Sequence, residues 1–316
     1  MDKNERKNIC KIVSGSYLYG TFSDASDKDY MGVFIPSLKE IVSRHGYKHE
    51  ISENIKVSDT LKNTNEDVDF KLFSLARFFN LAGQGQPSQI EMLFAENKEV
   101  VYSTQEWKAL VDNRDLFLSK NSIVPFLGFA VAQANKATLK IGHLENIRSI
   151  ISSGEKLDKS DLNRPLSDSF EKGLFGGINR SFDNEVTLFE IAGRKFDANV
   201  STGRFLEAVK NLEKKYGLRT LNSLADGVDW KSVHHAFRLI FEAEDLLTIG
   251  KIILPFEGER LSFLKDIKYK RKTELDWTYE LNSEIEKIKQ LKEKSNLKEF
   301  VDNVGLDELY YELLGI

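Results

Sequence analysis

Asp27 and Asp29 form an acid-x-acid pair shortly after a Gly-Ser step, in the stretch GSYLYGTFSDASDKDYMGV, residues 15–33. Alternate side chains of a strand project from the same face, so these carboxylates share a side, roughly 7 Å apart at Cα. Two such carboxylates repel each other unless cations lie between them. Because Mg²⁺ pairs held by carboxylates serve in-line phosphoryl displacement, the pair predicts phosphoryl chemistry with Mg²⁺ or Mn²⁺ as the cofactor.

Gly15 and Ser16 supply what a triphosphate needs beside such a metal pair. The glycine gives a backbone that a ligand can approach closely, the serine gives a hydroxyl, and a helix that starts here presents free N–H groups. The order strand, Gly-Ser, helix, turn and acid pair therefore places a candidate phosphate cradle next to the candidate metal ligands.

A third carboxylate is expected to hold one metal and to accept a proton from the attacking nucleophile. Asp67 and Asp69 are the candidates in the segment EDVDFKLF. Asp69 lies between Val68 and Phe70, in a hydrophobic-acid-hydrophobic strand pattern, whereas Asp67 lies nearer the strand edge. We therefore prefer Asp69 as the third acid, so Asp27, Asp29 and Asp69 are the predicted catalytic residues and metal ligands.

The elements that position these residues follow from hydrophobic patterns and turn signals. Strands are predicted at 8–13, 27–35 and 68–73, with a further strand near 55–57. A helical turn is predicted at 17–20. The third strand is expected to lead into a helix that carries Leu75, Ala76 and Phe79 on one face. Ser37 and Ser88 each begin a capping-box pattern that predicts a helix start.

The character of the chain changes beyond about residue 120. Helices are predicted at 123–152, 203–216, 230–250 and 279–315, and a long connection at 153–182. The predicted fold class is α+β, with a small mixed β-sheet domain over residues 1–120 and a mainly helical domain over residues 121–316 that closes the cleft.

Composition restricts the classes of protein that remain. The 316 residues carry a formal net charge of −4, so any nucleic-acid contact requires a local basic patch. The single cysteine, Cys10, cannot form an internal disulfide and lies in an apolar setting that predicts a buried thiol. The charged N-terminus and the lack of a long apolar run predict no signal peptide and no membrane span, which indicates a cytoplasmic protein.

The ordered motifs resemble the DNA polymerase beta-type nucleotidyltransferase superfamily. The stretch GSYLYGTFSDASDKDYMGVFIPS is similar to the family known as RNA-repair-pathway DNA polymerase beta, whose members carry Gly-Ser-x-x-Tyr-Gly and then Ser-Asp-x-Asp-x-x-Gly-Val. The segment GQPSQIEMLF is similar to a later family segment, with Gln86 and Ser88 where asparagines are usual. Weaker similarity returns at FLGFAVAQANK and WKSVHHAFRLIFEAEDLLTIG, so about half of the chain is covered.

The resemblance implies a further nucleotide-binding residue, Ser26 in the turn. Lys136, on the helix after FLGFAVAQ, is a candidate contact to the triphosphate; an ordinary surface lysine is the alternative. The resemblance also places a Lys-His-Arg motif on the helix at 231–250. On an ideal helix Lys231, His235 and Arg238 fall within a wedge of about 60°, together with Glu242. We interpret this stripe as a phosphate-binding ladder that reaches the nucleotide from the helical domain; a solvent-facing surface is the alternative.

A second basic segment lies at Lys265, Lys268, Lys270, Arg271 and Lys272, with Tyr269 among them. It is either a nucleic-acid backbone contact or a solvated loop. The resemblance implies an enzyme that moves a nucleoside monophosphate from an NTP to a hydroxyl, with an RNA end, such as that of a tRNA, as acceptor. Two alternatives stay open: transfer to a protein or nucleotide, as in toxins or messenger synthases, and a non-catalytic nucleotide or RNA sensor.

Overall fold

The computed structural model describes residues 5–24, 26–55, 68–176, 178–183, 186–214, 226–271 and 275–316. The chain divides into two compact units, one of Met1–Ala132 with His234–Ile316 and one of Gln133–Val233. The C-terminal helices thus belong to the same unit as the N-terminal sheet. The domain boundary predicted after residue 120 stays a prediction.

The first unit is built on a five-stranded mixed sheet. Its strands are β1 (Lys7–Ser14), β2 (Lys28–Ile35), β3 (Glu50–Ile55), β4 (Val68–Ser74) and β5 (Val100–Ser103). They are ordered β3-β4-β2-β1-β5, and β2 and β4 are parallel while the other neighbours are antiparallel. The predicted fold class and the three main strands are confirmed. The strand predicted near 55–57 lies earlier, as β3, and residues 56 and 57 lie outside the described residues.

Apolar residues on the central strands bury the sheet against its helices. Ile12, Val33 and Phe34 are each fully buried, and Cys10 is a buried free thiol, as predicted. Gly32 lies inside β2 for a steric reason, because a Cβ there would lie 2.6 Å from the carbonyl oxygen of Cys10. A side chain at this position would therefore push β1 and β2 apart.

Thirteen named helices lie in the described parts of the chain. They are α1 (Gly15–Leu18), α2 (Leu38–Ile41), α3 (Leu75–Gly83), α4 (Pro87–Leu93), α5 (Gln105–Asp112), α6 (Ile123–Gly154), α7 (Lys159–Asn163), α8 (Leu166–Glu171), α9 (Thr202–Glu213), α10 (Trp230–Ile249), α11 (Gly258–Lys268), α12 (Trp277–Lys294) and α13 (Asn303–Leu314). Two short 3₁₀ helices precede α6, at Arg114–Phe117 and Lys120–Ser122. Within the described ranges, no helix has both the length and the apolar character that a bilayer span requires.

Local signals for helix ends were correct at one capping box and wrong at the other. Ser37 accepts from the backbone of Glu40, whose side chain accepts in return, so the predicted capping box is present at α2. At the second position, α4 begins at Pro87, and the hydroxyl of Ser88 donates to Gln89 instead. The acid of that pattern, Glu91, is buried and belongs to a different set of contacts described below.

The C-terminal Lys/Glu-rich segment is divided, although one helix was predicted over 279–315. Helix α12 ends at Lys294, and α13 begins after Asp302, whose carboxylate accepts from the backbone N–H of Gly305. The hydroxyl of Ser295 donates to the carbonyl of Leu247, which fixes the chain just after α12. The pattern of charged residues continues across the break between α12 and α13, so the pattern alone predicted one helix. The capping group Asp302 marks the start of the second helix.

The second unit contains a three-stranded antiparallel sheet that was not predicted. Its strands are β6 (Asn179–Asp183), β7 (Val186–Ile191) and β8 (Arg194–Asp197). The predicted connection at 153–182 is also wrong in part, because α7, α8 and β6 lie within it. Leu166, Phe175 and Phe189 are buried in one core with the inner faces of α6 and α9. These apolar residues follow no single period, which is why their burial was not evident.

Candidate active site

The Gly-Ser step lies where β1 ends and α1 begins, beside the acid pair. Gly15 adopts the left-handed conformation, with φ of +64°, and a Cβ there would lie 2.7 Å from Oδ2 of Asp29. Both facts favour glycine, since an L side chain strains this backbone and occupies the space of the carboxylate. The acid and the Gly-Ser backbone are therefore in direct contact.

Helix α1 presents the start of a short helical segment at this point. Ser14 is the N-cap residue of α1. Its backbone is extended, and within the described segment 5–24 its side chain makes no capping hydrogen bond. The carbonyl of Ser16 accepts from the backbone N–H of Thr21 at 2.9 Å, which closes the loop after the helix. The side chain of Ser14 therefore does not cap the first turn of α1, and the N–H groups at a helix start are suited to bind an anion.

Asp29 and Asp69 are register partners on the neighbouring parallel strands β2 and β4. Because neighbouring strands lie about 4.8 Å apart and paired residues project from the same face, their side chains are adjacent. Asp29 also pairs with Ser14 on β1. Asp29 is partly buried and Asp69 is exposed. Asp29 is therefore next to both the preferred third acid, Asp69, and the Gly-Ser step.

Asp27 and Ser26 lie in the approach to β2. Asp27 directly precedes the first residue of β2 and is exposed. The hydroxyl of Ser26 accepts from the backbone N–H of Ser23 at 2.9 Å, within a turn that the Ser26 N–H closes on the Ser23 carbonyl. Ser26 thus fixes the turn that leads into the acid pair. Asp67, the alternative third acid, lies outside the described residues.

Within the described part of the chain, the side chains of Asp27, Asp29 and Asp69 do not form a three-carboxylate metal site. Across the described ranges, no group of three or more His, Cys, Asp or Glu side chains is placed to hold a metal ion. The donor chemistry nonetheless fits Mg²⁺, which commonly takes one or two carboxylates and completes its shell with water and phosphate oxygens. The adjacent carboxylates of Asp29 and Asp69 are a donor set of that kind.

Helix α10 contributes Arg238 and Glu242 to a buried ionic cluster that also contains Tyr19 and Glu91. Among the described residues, Arg238 is the only cation of this cluster. Nη1 of Arg238 donates to Oε1 of Glu91 at 2.6 Å and to Oε1 of Glu242 at 2.7 Å. The guanidinium lies 4.1 Å from the ring centroid of Tyr19, and the Tyr19 hydroxyl donates to Oε2 of Glu91 at 2.6 Å. The cluster joins α10 and α4 to the residue that follows α1.

Burial and ion pairing together shift the pKa values of this cluster. Burial raises the pKa of Glu242 well above its ordinary value, although the nearby Arg238 acts in the opposite direction. Burial also raises the pKa of the Tyr19 hydroxyl. The guanidinium of Arg238 would lose basicity on burial, but the carboxylates of Glu242 and Glu91 raise its pKa well above the ordinary value. Arg238 therefore stays a cation, and its guanidinium donates to the carboxyl groups of both Glu91 and Glu242.

The phosphate-binding ladder predicted on this helix does not form as one accessible stripe. Its end at Arg238 and Glu242 is buried and internally paired, whereas Lys231 is exposed and His235 is half-buried. Arg238 is only 7 % exposed, so its charge serves the cluster. Lys136, on α6, is partly exposed. Lys136 and Lys231 belong to the second unit, and their predicted nucleotide contacts stay predictions.

The comparisons with known proteins agree with the N-terminal motifs. Residues 2–145 match the model of the RNA repair pathway DNA polymerase beta family. The predicted resemblance is thereby confirmed over this range, and the description of the family suggests a polymerase beta-like nucleotidyltransferase involved in RNA repair. The matched range includes the Gly-Ser step, the acids and Glu91.

One full-length relative is an uncharacterized 38.9 kDa protein in the nrdC-mobD intergenic region of Enterobacteria phage T4. It is 26% identical over 321 residues, which cover 94% of this chain and 94% of that protein. No solved structure matches the chain significantly. The similarity to the phage protein thus extends over the C-terminal half as well, beyond the range of the family model.

The sequence motifs did not reveal the contacts of Tyr19 and Glu91. Both residues lie in segments that carry the family resemblance, GSYLYG and QIEMLF. An acid between apolar residues on a short helix, as in Ile90-Glu91-Met92, is the signal that indicates a buried partner, because a buried carboxylate requires one. The partner itself, Arg238, lies 147 residues away and cannot be found by spacing.

Proposed function

We propose that this protein transfers a nucleoside monophosphate from an NTP to a hydroxyl group at an RNA end. The observation that carries the proposal is the position of Asp29, which contacts Gly15 of the Gly-Ser step and pairs with Asp69 on the neighbouring strand. The carboxylate of Asp29 thus lies between the candidate triphosphate cradle and Asp69, the candidate proton acceptor for the nucleophile.

In this proposal the Gly15 and Ser16 backbone N–H groups, with the Ser16 hydroxyl, bind the β- and γ-phosphates. Donors at a helix start suit an anion because the N–H groups point outward and the helix dipole favours negative charge. Ser26 keeps the turn before β2 in place through its bond from Ser23. Lys136, Lys231 and His235 remain proposed nucleotide contacts.

Asp27, Asp29 and Asp69 would hold Mg²⁺ or Mn²⁺, which when bound neutralises phosphate charge and lowers the pKa of the attacking hydroxyl. Asp69 is the proposed acceptor of the proton from that hydroxyl. The hydroxyl oxygen forms a bond to the α-phosphorus, and the bond from that phosphorus to the β-phosphate bridging oxygen breaks. Pyrophosphate leaves with the electron pair of that bond.

The acceptor is tested by incubating the protein with each α-labelled NTP and Mg²⁺, in turn with tRNA, with protein extract, and with no added acceptor. Label on RNA supports the proposal. Label on protein, or in a small product, moves the same chemistry to the toxin or messenger-synthase alternative. Label in none of the three, with nucleotide binding retained, contradicts catalysis and favours a sensor.

A further inference from the structure

The loop that follows α1 carries a stacked pair of aromatic side chains outside the acid pair. The rings of Tyr17 and Phe22 lie face to face, with centroids 4.6 Å apart and planes only 3° apart. Phe22 is 47 % exposed, although a large apolar side chain gains from burial. Nζ of Lys28, next to the acid Asp29, lies 5.5 Å from the Tyr17 ring centroid.

A basic and aromatic segment at the end of α11, residues 268–271, contacts the same loop. Nζ of Lys268 and the hydroxyl of Tyr269 both donate to the carbonyl of Thr21, at 2.6 and 3.0 Å. Thr21 directly precedes Phe22 in the chain. The guanidinium of Arg271 lies 5.9 Å from the Tyr269 ring centroid, and its side chain is 68% exposed. Two segments almost 250 residues apart thus place aromatic rings and cations around one loop.

A single exposed phenylalanine is common and indicates little. An exposed ring in an aromatic stack, with cations on the neighbouring segments, has the chemistry that binds single-stranded nucleic acid: rings stack on bases and cations contact phosphates. We propose that Phe22, supported by Tyr17, binds a base of the single-stranded acceptor RNA, with Lys28 and Arg271 near its phosphates. This inference rests on the proposed function and names how its acceptor is held.

The arrangement of charge favours the acceptor strand over the donor nucleotide. A nucleoside triphosphate carries its phosphates on one side of its base, whereas a base within a strand has phosphates on both sides. Lys28 lies at the Tyr17 end of the stack, and Lys268 and Arg271 flank Tyr269 beyond Thr21. Cations from two separate segments of the chain therefore lie around the loop, which matches a strand that offers several phosphates rather than a single triphosphate.

Fluorescence anisotropy with a labelled single-stranded RNA oligonucleotide, without NTP and with EDTA, tests the surface independently of transfer. Phe22→Ala is expected to weaken RNA binding about 5- to 150-fold, the factor for ~1–3 kcal/mol per stacked base. Phe22→Leu is expected to weaken it similarly, and Phe22→Trp to retain it. Phe300→Ala is the matched control, because Phe300 is 70 % exposed, and binding should not change.

Arg271→Ala is expected to lower the slope of log affinity against log salt by about 0.7–1, as for one lost phosphate contact. Lys289→Ala, which removes an exposed cation paired with Glu286, should leave the slope unchanged. ATP affinity should be the same in Phe22→Ala and the wild type. The inference is overturned if the wild type does not bind the RNA, if Phe22→Ala behaves like Phe300→Ala, or if Phe22→Ala weakens ATP binding only. These outcomes are independent of any transfer activity, so they separate this inference from the proposed function.

Discussion

Asp29, near the start of β2, contacts Gly15, the first residue of α1, across the connection between these two elements. The carboxylate of Asp29 lies where a side chain at residue 15 would be, 2.7 Å from the position of a Cβ. Gly15 also adopts a φ of +64°. Glycine is therefore favoured at residue 15 for two separate reasons: its backbone conformation, and the space that the Asp29 carboxylate occupies.

The two reasons can be separated by a matched pair of variants. Gly15→Ala should lower the free energy of unfolding by ~1–2 kcal/mol from left-handed backbone strain alone, and further through its clash with Asp29. Gly46→Ala imposes the same kind of strain, because Gly46 has a φ of +67° with nothing within 4 Å of its Cβ position. Urea denaturation of both proteins measures the difference. Equal losses would show that the contact with Asp29 carries no energetic weight.

Asp69 is expected to act on the attacking hydroxyl in the transition state. Asp69→Asn removes the proposed proton acceptor and should lower turnover about 10²- to 10⁴-fold, the usual contribution of general base catalysis. Affinity for NTP should change little, because the triphosphate is held by other groups. Single-turnover kinetics and nucleotide titration measure the two quantities. A loss confined to NTP affinity would place Asp69 with the triphosphate instead.

Arg238 is expected to be a stability residue. Arg238→Ala leaves the buried carboxyl groups of Glu91 and Glu242 without their cation and hydrogen-bond donor and should cost about 3–5 kcal/mol of unfolding free energy. Arg77→Ala is the control, since its ion pair with Glu50 is exposed and worth about 0–1 kcal/mol. Chemical denaturation gives both values. If Arg238→Ala retains full stability and loses NTP affinity, the phosphate-ladder interpretation is restored.

Glu106 gives a specific pH dependence. Burial would raise its pKa, but hydrogen bonds from Lys7 and Thr104 outweigh burial and lower the pKa from 4.5 to about 2. A carboxylate with a lowered pKa stabilises the fold above its unfolded pKa, and that contribution disappears as pH falls from about 4.5 to 2. Glu106→Gln should therefore flatten this part of the curve of melting temperature against pH.

The exposed Glu308→Gln is the control for that measurement, and its curve should follow that of the wild type. Because Glu106 is partly exposed, solvent screening keeps the effect modest. An unchanged acid limb in Glu106→Gln would mean that the contact of Glu106 with Lys7 on β1 does not persist in solution.

Sequence reasoning succeeded where local pattern and chemistry coincide. The strands that carry Asp29 and Asp69 are short and apolar, so their type followed from the apolar pattern of the sequence. That β2 and β4 are neighbours, with these acids in register, is a property of sheet topology and required the structure.

The contacts that sequence reasoning did not find involve residues whose partners are distant in the chain. Helical geometry placed Arg238 on a stripe with Lys231 and His235, but it cannot show which part of a stripe is covered. Glu91 was assigned to a capping box because Ser88 precedes it by three residues, whereas its partners are Tyr19 and Arg238. The small sheet of the second unit was missed because its strands are short and its apolar residues lack a regular period.

The most direct test compares wild-type protein with Asp29→Asn in a transfer reaction with α-labelled NTP, Mg²⁺ and tRNA. Asn keeps the shape of the side chain beside Gly15 but removes its charge, so the variant should remain folded, with a melting temperature at least equal to that of the wild type. We expect labelled RNA and released pyrophosphate with the wild type, none when EDTA replaces Mg²⁺, and none with folded Asp29→Asn. Full transfer activity in Asp29→Asn would contradict the proposed function.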